Sequence, residues 1–501
     1  MERIGIIDLE SSSIHLVIID IKDNQAHHQI ENLKETVRLG SGIDPQGNLS
    51  DQAVDHLAET ISLFANFCKV RKVKHISAVA TTAIRQAPNR KEIVDYIYKK
   101  TGIKIKVLTE EEEATLGYIG LVNTAAQTSG LLVDLGGGSL KLVDFKNRLL
   151  QHTLTLDFGS VSLMEKFNLK DLPQAEDIKA LQAFLAESFA GIPWLQGQTN
   201  VVGVGGTLRS LARVYRGRIK YLPDITDGLE IPVEKVEEIL ASLAQMNLEQ
   251  RRNVPGLEKA RADLSVAGIV IIRELLKATA SKQLTVATSS IRDGLFYKYL
   301  HPRDPIVFNV LTHHTKNLID YHNLDENHLR RVSNLAVTLF DQLQALHRLN
   351  SYERRLLLIA GLLHELGVVI SVESLEKHTL YTILNSPLHG LTHRERVLIA
   401  YLAASHEQLF LIGLKDYMGQ GPITLEDIRR IKKLAPLLQI AHSLDRSRTG
   451  VVTQVRCKLT PEICEIKVSG PGKTDLEVRD ANRRAEAFLK EYDTKLVVTQ
   501  D

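Results

Sequence analysis

The stretch Gly130 to Val143, which reads GLLVDLGGGSLKLV, constrains this chain more than any other. The apolar run Leu131, Leu132, Val133 predicts a buried strand, and it delivers Asp134 to three successive glycines, Gly136, Gly137 and Gly138, followed by Ser139 and a second apolar run. A backbone without Cβ atoms turns sharply and brings its N–H groups close to a phosphate, while an aspartate at the strand end can hold a metal or a metal-bound water. The N-terminus repeats this unit. Ile4 to Ile19 reads IGIIDLESSSIHLVII, and Asp8, Leu9, Ser13, Leu16 and Val17 fall on Asp134, Leu135, Ser139, Leu142 and Val143 at a constant offset of 126 residues. Two such units at domain-sized spacing predict two similar α/β lobes whose phosphate hairpins face each other across a cleft, with Ser11, Ser12 and Ser13 in the first. The plain alternative is two ordinary hydrophobic hairpins.

At 501 residues the chain exceeds one core, and its length predicts about three or four domains. Lys plus Arg number 62 against 60 Asp plus Glu, so no global field calls for a nucleic-acid or membrane partner, and a polyanion site has to come from local clusters. Three cysteines, Cys68, Cys457 and Cys464, argue against a disulfide framework, match no zinc spacing and fit a reducing cytoplasm. Met1, Glu2 and Arg3 run straight into the first strand, so no leader is expected, and no apolar run reaches the roughly 18 residues of a membrane span.

Further candidates follow along the chain. A buried strand, Ile76 to Ala80, ends in Thr81 to Arg85, where Arg85 either reaches a phosphate or caps a helix end. After strand Ile103 to Leu108, Thr109 caps a helix that begins with Glu110, Glu111, Glu112 and Glu113. Such a run is ordinarily a solvated first turn complementing the helix dipole; here the helix leads into the central hairpin, so a carboxylate at its start can orient a water. Strand 200–204 feeds Gly205, Gly206 and Thr207, a third candidate phosphate loop at a helix start, lacking the last glycine of the dinucleotide pattern. Next come Arg213, Arg216, Arg218 and Lys220, either a solvated basic face or a track for a long polyanion. His301 to Pro305 breaks the pattern, and a mostly helical region follows with His328, His364, Glu365, His378, His406 and Asp445, acids and imidazoles on separate helices that could converge on a metal. The final segment alternates short strands and ends in a charged helix, Arg479 to Tyr492.

These residues together resemble the exopolyphosphatase and guanosine pentaphosphate phosphohydrolase family. The resemblance spans essentially the full length and rests on the Asp8 hairpin, Arg38-Leu39-Gly40, Thr82 to Arg85, Glu112-Glu113-Ala114, Asp134 to Ser139, Gly159-Ser160-Val161, Gly205-Gly206-Thr207, Pro255-Gly256-Leu257, Arg261-Ala262-Asp263 and Arg292-Asp293-Gly294. It implies an α/β fold: two actin-like (ribonuclease H-like) lobes at 1–122 and 123–303 around a cleft, an all-α HD-like domain at 304–450, and a small C-terminal α+β region at 451–501. It also implies that Glu113 activates water, that Asp134 and Asp8 associate with a divalent metal, Mg²⁺, and that Arg85 contacts phosphate. Two departures stand out. The family's first hairpin usually reads D-L-G-S-N-S, where this chain has Glu10 and Ser12, and its central hairpin usually reads D-I-G-G-G-S-T-E, where this chain has Leu140 and Lys141. In the helical region the defining His-Asp pair is His364-Glu365, which resembles members whose helical domain is a structural or dimerising scaffold; Arg446 and Arg448 extend the basic track.

The expected activity is metal-dependent hydrolysis of the terminal phosphate of inorganic polyphosphate, with guanosine pentaphosphate as a second candidate substrate, in a cytoplasmic homodimer without nucleic-acid or membrane partners. The alternative is a catalytically weakened sensor that binds polyphosphate or guanosine tetra- and pentaphosphate, which Glu10 and Lys141 favour. A nucleotide kinase or chaperone is a third reading and requires an adenosine pocket.

Overall fold

Strand β1 (Glu2–Leu9) and strand β2 (Ser13–Ile21) are almost wholly buried, as near-continuous Ile and Val runs demand. They form an antiparallel hairpin in which Asp8 faces His15 and Leu9 faces Ile14. With β3 (His27–Thr36), β4 (His75–Ala80) and β5 (Ile105–Val107) they make a five-stranded sheet in the order β3-β2-β1-β4-β5, in which β4 runs parallel to β1. The second sheet repeats the plan. Strands β6 (Gly130–Leu135) and β7 (Leu140–Lys146) pair with Asp134 opposite Lys141 and Leu135 opposite Leu140, the first hairpin's register at the same offset. Strands β8 (Leu149–Leu156), β9 (Val201–Val204), β10 (Leu229–Pro232) and β11 (Gln283–Val286) complete six strands in the order β10-β11-β9-β6-β7-β8, with β9 parallel to β6. The computed structural model describes every residue except Ser12, Arg38, 40–43, Pro45 and Gln420. The expected phosphate contact at Ser12, and Arg38 and Gly40 of the Arg38-Leu39-Gly40 landmark, thus lie outside the described residues, whereas Leu39 is buried.

Each face of the first sheet buries against helices. Ile7 and Leu9 pack with helices Asp51–Val70 and Arg90–Thr101, whereas Ile4 and Ile6 join Ala114, Ile119 and Phe296 of helices Glu110–Val122 and Ile291–Leu300 in a core that also takes Leu132, Val143 and Val202 of the second sheet. Those two helices approach unusually closely. A Cβ added at Gly120 would stand 2.5 Å from the Ser290 carbonyl oxygen, and one at Gly294 would overlap the Leu116 carbonyl oxygen. The two related α/β lobes are therefore present, and one compact unit contains both, 1–220 with 225–310.

The second unit comprises 221–224 and 311–501. Helices Glu326–Gln342, Ser351–Leu363, Leu375–Asn385, His393–Ala404 and Leu425–Ser443 share one core with a three-stranded sheet, Gln454–Leu459, Ile463–Ser469 and Lys495–Gln500, to which Ile466, Val468, Phe488 and Val498 contribute. No helix among the described residues is long and apolar enough to cross a membrane.

Candidate active site

The four consecutive glutamates separate by helix geometry. Thr109 accepts from the Glu112 amide at 3.1 Å, and the Glu112 carboxylate accepts from the Thr109 amide at 3.0 Å, a reciprocal cap that consumes Glu112. Glu110 and Glu111 are exposed, while Glu113 is buried at 6%. Its two oxygens are each taken by a cation. Arg85 Nη1 donates to Oε2 at 2.8 Å, and Lys141 Nζ lies 2.8 Å from Oε1.

Arg85 stands on the short helix Thr82–Gln86 that follows β4, and it also donates to the Leu108 carbonyl at 3.0 Å and the Thr82 hydroxyl at 3.1 Å. Lys141 enters from β7, donates to Ser139 Oγ at 3.2 Å and lies 3.8 Å from Asp134 Oδ2. Burial works to lower the Lys141 ammonium, but Asp134 and Glu113 outweigh it and hold the group above its ordinary range. Burial conversely raises Asp134 against the pull of Lys141. The structure thus gathers Glu113, Arg85 and Asp134, three of the residues expected from sequence, around a lysine.

Asp8 lies at the end of β1 and is fully buried. Arg292, on the helix after β11, donates to its Oδ2 at 2.8 Å, while its Oδ1 is buried without a hydrogen-bond partner. Burial and neighbouring Glu10 push the Asp8 carboxyl well above the usual carboxylate range despite Arg292. An orphaned buried carboxylate oxygen and the partly exposed Asp134 carboxylate are hard oxygen donors that fit a magnesium-class ion, which takes one or two carboxylates and leaves its other positions to water and phosphate. Glu10, the carboxylate in the first turn, lies 3.6 Å from Arg292 and accepts from Ser13 Oγ at 3.4 Å. Burial opposes its ionisation, yet the positive charge of Arg292, with that of Arg209 and Arg261, outweighs burial and lowers it.

The glycine turns follow from close approach. Gly136 donates to the Ser139 carbonyl at 3.0 Å, as Glu10 does to Ser13 at 2.9 Å, so the two repeats close identically. The carbonyls of Gly136 and Gly137 cap the helix Ser160–Lys166, accepting from Ser160 and Val161, and among the described residues the N–H groups of Gly137 and Gly138 donate to no protein acceptor. Gly205 adopts φ +121°, a conformation reserved for glycine, and a Cβ on Gly206 would meet the Arg261 guanidinium at 2.6 Å. Thr207 is buried with an unpartnered hydroxyl, and Ser11 is half-buried beside the first turn.

The basic track divides. On helix Gly206–Ile219, Arg209, Arg213 and Arg216 share a face, whereas Arg218 lies on the opposite one and donates to Ser242. Arg213 donates to the Gly256 carbonyl and Ser210, Arg216 to Thr226, and Lys220 ends the helix at φ 48°. Arg209 goes unnoticed in the sequence, and neither Arg261 nor Arg292 has a role legible there; the spacing of 209, 213 and 216 is the available signal for the first.

The chain as a whole has known relatives. The profile of the Ppx/GppA phosphatase family matches residues 17–303, and that of Ppx/GppA phosphatase, domain III, matches 311–479. The guanosine-5'-triphosphate,3'-diphosphate pyrophosphatases of Aeromonas hydrophila and Aeromonas salmonicida are each 28% identical, with 88% of this chain and 87% of each relative covered. Among solved structures, the Ppx/GppA family member of Aquifex aeolicus is 25% identical with a TM-score of 0.55, covering 60% of this chain and 99% of its own. An exopolyphosphatase from Cytophaga hutchinsonii shares the fold at 24% identity and a TM-score of 0.55, over 61% of this chain and 100% of its own.

Proposed function

The chain belongs to the Ppx/GppA phosphatase family, and from that premise we propose that it hydrolyses the terminal phosphoanhydride of inorganic polyphosphate and also takes guanosine pentaphosphate, the substrate class named for its Aeromonas relatives. The observation that carries this reading is Glu113, a buried carboxylate at a helix start with Arg85 and Lys141 on its two oxygens.

Phosphoryl transfer asks a protein mainly for positioning and charge neutralisation. The N–H groups of Gly137 and Gly138, which no protein acceptor takes among the described residues, and the helix start at Gly206 would donate to phosphate oxygens, and Arg209, Arg261 and Arg292, which act together on Glu10 in the first turn, supply positive charge, Arg261 against Gly206 itself. A terminal phosphate carries more charge than one carboxylate, so on arrival it draws Arg85 and Lys141 toward itself. Glu113 is then left with free oxygens beside the phosphorus, where it accepts a proton from the attacking water. In the resting site the same pairs keep the base masked. The family implies a divalent metal; Asp8 and Asp134 would hold it, and when bound as Mg²⁺ it would neutralise developing charge on the phosphate. A homodimer is part of this proposal on the family resemblance, and a cytoplasmic location on the three cysteines, which are free and form no disulfide framework.

A second reading, a sensor with little turnover, is favoured by the Lys141 to Glu113 contact, which a weak ligand would not break. Initial phosphate release from long-chain polyphosphate and from guanosine pentaphosphate, measured side by side with Mg²⁺, separates the two. We expect release from both, faster from polyphosphate. Binding of either without release would establish the sensor.

A further inference from the structure

The second unit buries four histidines at one place in its helical core. His328 comes from helix Glu326–Gln342, His364 closes helix Ser351–Leu363, His406 follows helix His393–Ala404, and His442 lies near the end of helix Leu425–Ser443. All are at most 3% exposed. The ring centroids of His328, His364 and His442 stand 5.4, 5.9 and 5.3 Å apart in pairs, and His406 lies 5.2 Å from His364 and 5.1 Å from His442.

Hydrogen bonds orient the rings. His364 Nδ1 faces the Gly361 carbonyl at 2.7 Å, His406 Nδ1 the Ala403 carbonyl at 2.9 Å, and His328 Nδ1 the Asp445 carboxylate at 2.8 Å. Each of those acceptors requires a proton on Nδ1, which in the neutral ring leaves Nε2 with a lone pair; Nε2 of His328 lies 3.7 Å from Glu365 Oε1, where a metal ion would replace a proton between them. For His328 and His364 that Nε2 is buried with no hydrogen-bond partner, and Nδ1 of His442 is buried and unpartnered too. Imidazoles anchored through one nitrogen on a carbonyl or carboxylate, with the other unsatisfied, are arranged as metal ligands are. Glu365 completes the set. One ligand atom from each of His328, His364, Glu365 and His442 lies within 4.8 Å of all the others, while Asp445 is steadied by Arg331 at 2.9 Å and the Gly450 amide at 2.9 Å.

A structural core gains nothing from this arrangement. Apolar residues of the same volume would fill the space without leaving polar nitrogens unsatisfied. We propose that the C-terminal unit holds a divalent transition-metal ion, of the zinc, iron, cobalt or nickel class, through His328, His364, His442 and Glu365, with Asp445 orienting His328. Three imidazoles and one carboxylate select such ions over Mg²⁺ or Ca²⁺, which take oxygen donors. Arg448 Nη2, now 2.5 Å from Glu365 Oε1, hands that oxygen to the ion. This departs from the scaffold role that the His364-Glu365 pair implied in the sequence, and it is independent of the chemistry of the first unit.

The test uses the full chain, stripped with a chelator, dialysed and titrated with Co²⁺ in excess Mg²⁺, with visible d–d absorption as the readout. One equivalent per chain, displaced by Zn²⁺ and unaffected by Asp8→Asn, is expected. His364→Asn and Glu365→Gln should each weaken Co²⁺ binding at least a hundredfold, and Asp445→Asn about tenfold as a positioning residue. Circular dichroism verifies folding, and if His364→Asn does not fold, Glu365→Gln decides alone. Absent Co²⁺ absorption in the native-folded chain, or an unchanged titration in a folded ligand variant, overturns the proposal.

Discussion

The two departures at the turns become intelligible one residue at a time. Lys141 stands opposite Asp134 in the register where His15 stands opposite Asp8, so the repeat places a nitrogenous side chain beside each aspartate. Lys141 is charged because Glu113 and Asp134 surround it; His15 is neutral because burial, reinforced by Arg292, holds it down at about 4 although Glu10 pulls the other way. The sign of the resulting pH dependence follows. Between its ordinary 6.5 and about 4, His15 takes up a proton in the unfolded chain and not in the folded one, so its contribution to stability is present above 6.5 and lost as pH falls through that window. The shift amounts to about 3 kcal/mol by the lower limit. His15→Asn cannot take up that proton, so urea unfolding free energies measured from about pH 7 to 4 should fall less steeply in the variant than in the parent. Parallel slopes would contradict the assignment. Glu10 likewise does not repel a phosphate unaided, since Arg292, Arg209 and Arg261 are beside it.

At the scale of elements, the site depends on one helix crossing. Helix Glu110–Val122 brings Glu113, and helix Ile291–Leu300 brings Arg292 to Asp8; they meet where Gly120 and Gly294 leave no room for a Cβ. Gly294→Ala must push Leu116 away, and we expect a loss of about 1–3 kcal/mol in thermal or urea unfolding together with lower phosphatase activity. Gly117 lies on helix Glu110–Val122 beside Gly120, and a methyl group added there would meet nothing within 4 Å. Gly117→Ala should be neutral or stabilising by up to about 1 kcal/mol. Equal losses in the two variants would show that the crossing does not govern the site. The sequence announces the hairpins, because strand hydrophobicity and glycine turns are local signals, and the 126-residue offset carries over to the pairing register. The crossing is not legible. Glycines at 117, 120 and 294 look alike in sequence, and only packing distinguishes the two that a helix presses against. The same limit applies to Arg218, which counts toward a basic cluster in sequence but turns away in three dimensions.

For the whole molecule, two compact units divide the polar chemistry. The first gathers carboxylates, arginines and a lysine around glycine turns, suited to phosphate; the second gathers imidazoles, suited to a softer ion. The histidines are visible in the sequence as recurring letters on separate helices, but their convergence depends on tertiary packing that no local pattern encodes. Nor does sequence show that the C-terminal sheet and the helices before it share one core. At the centre of the proposed chemistry stands Glu113, masked by Arg85 and Lys141 until substrate arrives and then the base that activates water. The most direct measurement is phosphate release from long-chain polyphosphate by the full chain and by Glu113→Gln, with equilibrium binding of polyphosphate determined for both. We predict that release falls at least about a hundredfold in the variant while binding holds or tightens, because the two cations are freed for phosphate. Undiminished release by Glu113→Gln would contradict that role.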